Sequence, residues 1–157
     1  MTTAIRKADV TEARLLTEIA LTSKAHWGYS EAFMLACTQE LTVTPVKIIA
    51  DHFSYWVIES ENDIQGFYAL ETLSEREVEL EALFVKPDAI GQGLGKALMK
   101  HAIAYAKDGQ FDAIIIQSDP HADDFYAAMG CEAVGKQASQ SIEGRYLTVF
   151  KYKINDT

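Results

Sequence analysis

Residues 87–98 read PDAIGQGLGKAL, with Gly91, Gly93 and Gly95 inside five positions and Lys96 directly after them. Glycine in an ordered segment costs backbone entropy, so a cluster marks unusual dihedrals or the close approach of another group. The candidates are a plain turn and an anion cradle. In a cradle, unpaired amides at a helix N-terminus and the positive end of the helix dipole point together at a phosphate. A Walker loop would need glycine at position 90 and Ser or Thr at 97, where the chain has Ile90 and Ala97. The dinucleotide fingerprint would need glycine in place of Lys96, and it belongs after the first strand of its fold. Three glycines that open a helix and precede a lysine favour a pyrophosphate site over a bare connection.

The loop needs a strand before it and a helix after it, and the sequence supplies both. FSYWVIES, IQGFYALETL and EVELEALFV read as three sequential antiparallel strands joined at the polar clusters ENDI and SERE. From Leu94 the period changes: Leu94, Ala97, Leu98, Ala102 and Ile103 recur at helical spacing. DAIIIQS, residues 112–118, fits a strand buried on both faces. Asp119 then serves as N-cap and Pro120 as first residue of another helix, which Gly130 closes.

Upstream, a short strand around AIRKA precedes a helix opened by Asp9 and Glu12, a variant of the capping box, with Leu15, Leu16, Ile19 and Ala20 on its apolar face. Gly28 breaks that helix. A second short helix covers Ser30 to Cys37, and an extended exit runs toward Pro45. CEAVGK and YLTVFKYKI are the last strands, the latter with Tyr146, Thr148, Phe150, Tyr152 and Ile154 on one face. The expected fold is α/β of the α+β kind: a mixed, mostly antiparallel sheet flanked by helices, with one crossover spanning residues 78–118.

The 157 residues fit a single domain, 1–157, large enough to bury a core without a structural metal. The N-terminal MTTAIRKADVTEARLL lacks the apolar run of a secretory signal, and no segment has membrane-spanning length, so a cytoplasmic protein without membrane contact is expected. Cys37 and Cys131 stand apart, without metal-site spacing, and read as small buried apolar residues in a reducing compartment. A net charge of −9 disfavours nucleic acid and tolerates a cationic small substrate.

VKPDAIGQGLGKALM resembles the pyrophosphate-binding motif of the GCN5-related N-acetyltransferases (GNAT), and DPHADDFYAAMGCEAVG is similar to a second motif of that family. The resemblance covers most of the chain, since the order of elements agrees as well. It implies a splayed parallel strand pair and acetyl-CoA as cosubstrate, with no metal. Gly91, Gln92, Gly93, Leu94, Gly95 and Lys96 would hold the pyrophosphate. Leu83, Phe84 and Val85 would pair with the pantetheine arm, and Asp119 and Phe125 would lie on the same coenzyme side. The chain departs from the pattern at Ile90, where the family has Arg or Gln, at Asp119, where it has Asn, and at Cys131, where an aromatic is usual. SKAHWGYSEAFM and SIEGRYL also resemble segments of uncharacterised family members.

Tyr126 falls on the tyrosine that often protonates the departing thiolate, although an aromatic there also packs helix against sheet. Attack by an amine needs an unprotonated nitrogen, whereas an alkyl ammonium has a pKa near ~10.4. Glu79 and Glu81, on one face of the strand before the loop, are the candidate bases, directly or through water; the competing reading, the solvated face of a half-exposed strand, is the commoner one for a glutamate. His26, Trp27, Tyr29 and Met34 lie where the family walls its acceptor pocket, with core packing as the competing reading. The expected activity is acetyl transfer from acetyl-CoA to an amine of a small cationic acceptor. A non-catalytic acyl-CoA sensor is the alternative, a nucleotide-dependent oxidoreductase is a third reading, and the family analogy admits a homodimer through the last strands.

Overall fold

The computed structural model describes residues 3–154. Their seven strands are β1 (Thr3–Lys7), β2 (Phe53–Ser60), β3 (Asp63–Thr72), β4 (Glu77–Val85), β5 (Ala113–Ser118), β6 (Glu132–Ala138) and β7 (Tyr146–Lys153). They form one sheet in the order β1-β2-β3-β4-β5-β7-β6, antiparallel everywhere except between β4 and β5. The helices are α1 (Ala13–Ala25), α2 (Glu31–Leu41), α3 (Pro45–Ile49), α4 (Leu94–Asp108) and α5 (Asp123–Ala128). One core lies between the sheet and α4 with α5; it contains Tyr68, Leu98, Met99, Ala102, Ile114 and Ile116. The other lies between the sheet and α1 to α3, around Leu16, Ile19, Cys37, Val57 and Phe67.

Local chemistry sets the helix starts. Asp9 accepts from the Thr11 amide while Glu12 reaches back to the Asp9 amide at 2.7 Å, a complete capping box ahead of α1. Ser30 caps α2, which extends beyond the expected Cys37 to Leu41. The expected extended exit is confined to Thr42–Thr44: Thr44 caps and Pro45 opens the five-residue α3, where a proline supplies the first-turn φ a helix needs. Asp119 and Pro120 open a short 3₁₀ turn first, and α5 follows it.

β4 and β5 share only three register pairs: Glu77 with Ala113, Val78 with Ile114 and Glu79 with Ile115. Beyond Glu79 the two strands part, β4 staying with β3 and β5 with β7. A bulge accompanies the parting. Ala69 faces Ala82 and Leu70 faces Leu80, so Glu81 is the extra residue, and a bulge bends its strand and increases its twist. Val78 and Leu80 therefore face α4, but after the bulge Leu83 and Val85 take that face and Ala82 and Phe84 join the α1 side. Strict alternation would have kept Leu83 and Val85 with Glu79 and Glu81.

Gly66 holds the other edge of this segment. A Cβ there would lie 2.6 Å from the Phe84 carbonyl oxygen, a backbone atom unable to swing aside. Gly66→Ala should thus destabilise the protein by about 1–3 kcal/mol, the usual cost of overpacking. Thermal unfolding checks this, and an unshifted Tm would show that β3 and β4 can separate freely there.

Candidate active site

At the C-terminal end of β4, Gly91 and Gly93 adopt φ of 91° and 79°, values that glycine reaches without Cβ strain. Gly93 caps α4, and its carbonyl accepts the first helical bond, from Ala97 N–H at 3.0 Å. Among the described residues, the amides of Gly91 through Lys96 donate to no protein carbonyl or side chain. The orphan donors of a helix start therefore remain available, as a pyrophosphate requires. Gly95 has another reason to be small: a Cβ there would sit 3.7 Å from the Phe125 ring and 3.9 Å from Val85. Ile90 is exposed at the rim.

Leu83, Phe84 and Val85 pair with Tyr68, Phe67 and Gly66 along one edge, and the other edge faces the gap left by β5. Main-chain groups on that edge can extend the sheet onto an amide-bearing arm. The residues present thus fit coenzyme A at both its diphosphate and its pantetheine. Gly93→Val should weaken acetyl-CoA binding about tenfold, because a β-branched residue at this φ costs on the order of 1–3 kcal/mol and pulls the loop from its shape. Calorimetric titration measures it; equal affinity in a folded variant would place the coenzyme elsewhere.

Glu81 and Glu79 both sit on the α1–α3 side. Glu81 lines a cavity of about 20 Å³ with Glu40, Tyr55, Phe67 and Phe84, enough for roughly one water. Burial, opposed by Lys47 and reinforced by Glu71, Glu79 and Glu40, pushes the Glu81 carboxyl up to about 7. Burial and then Glu71 also raise Glu79, which still lies in the paired part of β4. Tyr126, 6 % exposed, packs against Phe125 and Phe150 at ring distances of 5.2 and 6.0 Å. Burial drives its phenol far above the ordinary tyrosine range, and no described residue hydrogen-bonds its hydroxyl.

The Asp119 carboxylate makes none of its contacts with residues 91–96. It accepts from the Tyr29 hydroxyl at 2.9 Å, from Arg145 Nη2 at 3.1 Å and from the His121 amide at 3.0 Å, with Lys24 Nζ at 3.4 Å. Tyr29 stacks on Phe33 at 4.0 Å, and the exposed Trp27 stacks on His121 at 4.9 Å with His26 edge-on to it. Met34, like Phe33 and Phe84, packs against the core on the α1–α3 side. The connection 139–145 closes over α2: Ser141 donates to Glu40 at 2.8 Å, and Ile142 joins the same core. Sequence reading missed Lys24, Arg145 and Glu71. The first two stand inside SKAHWGY and SIEGRYL, segments whose resemblance to other chains was their sole signal.

A glycine-headed helix beside a splayed parallel pair fits a coenzyme A-dependent acyltransferase. The Acetyltransferase (GNAT) family profile matches residues 16–131, and the chain belongs to that family. It is an acetyltransferase with acetyl-CoA as cosubstrate. It is 27 % identical over 150 residues to the 5-NmdU N-acetyltransferase of Pseudomonas phage PaMx11, covering 94 % of this chain and 96 % of that protein. It is also 27 % identical over 111 residues to human N-acetyltransferase 8, covering 66 % of this chain and 49 % of that one. Among solved structures, the fold matches the PaiA N-acetyltransferase of Thermoplasma acidophilum in complex with coenzyme A at a TM-score of 0.81, with 18 % identity and coverage of 98 % and 99 %. It also matches YncA of Salmonella typhimurium with acetyl-CoA at a TM-score of 0.70, with 18 % identity and coverage of 100 % and 96 %. No helix among the described residues is long and apolar enough to cross a membrane.

Proposed function

We propose that the chain acetylates the amine of a small acceptor that is cationic at neutral pH, with Glu81 as general base and Tyr126 as general acid. The observation that carries this reading is the meeting of the free amides of residues 91–96 with the open edge of β4 at the splay. Acetyl-CoA supplies a thioester carbonyl and a thiolate leaving group. Glu81 stands at the bulge where the strands separate, and its carboxyl titrates near 7, so it accepts a proton at neutral pH without being a weak base. Glu79 lies two residues earlier, still between paired strands, and is better suited to attract the ammonium than to deprotonate it.

Tyr126 comes from the opposite face, buried and protonated, which suits delivery of a proton to a thiolate. Glu40, Glu71, Glu79 and Glu81 give the acceptor side a negative character that favours an incoming cation. Mixing the protein with acetyl-CoA and a panel of primary amines, then following free thiol, tests the proposal. Amine-dependent thiol release is expected. Tight acetyl-CoA binding without release on any acceptor would favour the sensor reading.

A further inference from the structure

Lys24 and Arg145 converge on a single carboxylate. Both contact the same oxygen of Asp119, at 3.4 and 3.1 Å, although their side chains are only 12 % and 16 % exposed. Cations this withdrawn from water are normally matched by acceptors. Here the count falls short. Arg145 uses Nη2 alone, on Asp119 and Tyr29; its Nε and Nη1 and Lys24 Nζ have no hydrogen-bond acceptor among the described residues and are not sealed from solvent, so an incoming group can reach them. Burial, followed by the Asp119 carboxylate, raises Tyr29 to about 12, so its hydroxyl donates to Asp119 as a neutral group and adds no negative charge. Asp123, the next carboxylate along the chain, is held by the hydroxyls of Ser118 and Thr148.

The two cations are also fixed in place. Both lie over the stacked rings of Tyr29 and Phe33, Arg145 at 5.5 and 4.9 Å and Lys24 at 5.8 and 5.7 Å. Their position relates directly to Glu81. Ala20 lines the Glu81 cavity, and Lys24 follows it by four residues on the same face of α1, about 6 Å along the helix. The carboxylates around Glu81 and this surplus positive charge thus lie on the same side of the sheet, roughly one helical turn apart along α1.

We infer that the acceptor is an amine bearing its own anionic group, a carboxylate or phosphate a few bonds from the nitrogen, and that Lys24 and Arg145 bind that group. The inference rests on the acetyl-transfer reading and narrows its acceptor from a net cation to one whose ammonium end faces the glutamates and whose anionic end faces Lys24 and Arg145. Asp119 acts as the positioning residue that holds the two cations together.

The test compares matched acceptors: α- and ω-amino acids, the alkylamines left when the carboxylate is removed, and aminoalkyl phosphates of equal length. At least one anionic member should exceed its plain amine about tenfold in kcat/KM, and the carboxylate and phosphate arms identify the source of the charge. Arg145→Gln should raise the KM of that acceptor by roughly 10- to 100-fold with a small change in kcat, as expected for loss of a charge-assisted hydrogen bond. Arg145→Lys should restore part of it. Lys24→Gln, on a different element, gives the same reading if the Arg145 variant does not fold. Equal or better turnover of every plain amine, or a preference that survives in both variants, would overturn the inference while leaving acetyl transfer intact. Absence of thiol release with all three classes, while acetyl-CoA still binds, would overturn the acetyl-transfer reading and this inference with it.

Discussion

Tyr126→Phe should lower kcat by about 10²-fold or more while acetyl-CoA affinity stays within about twofold. The ring is already held by Phe125 and Phe150 on either side, so phenylalanine keeps the packing. The hydroxyl bonds to no described residue, and its removal leaves no protein donor or acceptor stranded. In the proposed mechanism what disappears is a proton source. Because burial favours the neutral phenol, Tyr126 is protonated throughout the pH range of a normal assay, and its loss should shift rate without creating a new pH limb. Single-turnover kinetics at saturating acetyl-CoA isolates the chemical step. An unchanged rate would remove Tyr126 from the mechanism and leave it as a core residue.

Glu81→Gln should reduce kcat/KM by about 10²- to 10³-fold and remove a rise in activity centred near pH 7. The rise reports conversion of the carboxylic acid to the carboxylate that receives the ammonium proton. The same group predicts a stability change of definite sign. Its pKa moves from 4.5 to about 7 on folding, so between those values the folded chain binds more protons than the unfolded one. Stability therefore falls as pH rises through this window. Glutamine removes that fall, and the variant should melt above the parent at pH 8 and close to it at pH 4. Glu79→Gln is the comparison, with a smaller kinetic effect expected from a group outside the bulge. If Glu79→Gln abolished the pH limb and Glu81→Gln preserved it, the two roles would be reversed.

Features governed by near neighbours were legible in the sequence. Gly91 and Gly93 announced positive φ, Asp9 with Glu12 announced a capping box, and Leu94, Leu98 and Ala102 announced the buried stripe of α4. The α3 helix was hidden because five residues are too few to show a period, although Thr44 and Pro45 form a recognisable start. The faces of β4 were legible only up to Glu81. An extra residue in a ladder leaves no local mark, since its existence depends on which residue of β3 lies opposite.

The amino-acid sequence by itself determined the glycine loop, the succession of strands and helices, and the placement of Tyr126, Glu79 and Glu81 around the crossover. Dihedral preference, capping and hydrophobic period act over a few residues and survive in any reading of the chain. Tertiary structure alone decided that Glu81 would sit at a bulge beside a splay and that Lys24, Tyr29, Asp119 and Arg145 would form one cluster. Those four residues span more than a hundred positions, and hydrogen bonds and charges act through space. Their meeting, and the unmatched positive charge it creates, exists only once the sheet has brought α1, the end of β5 and the start of β7 to the same place.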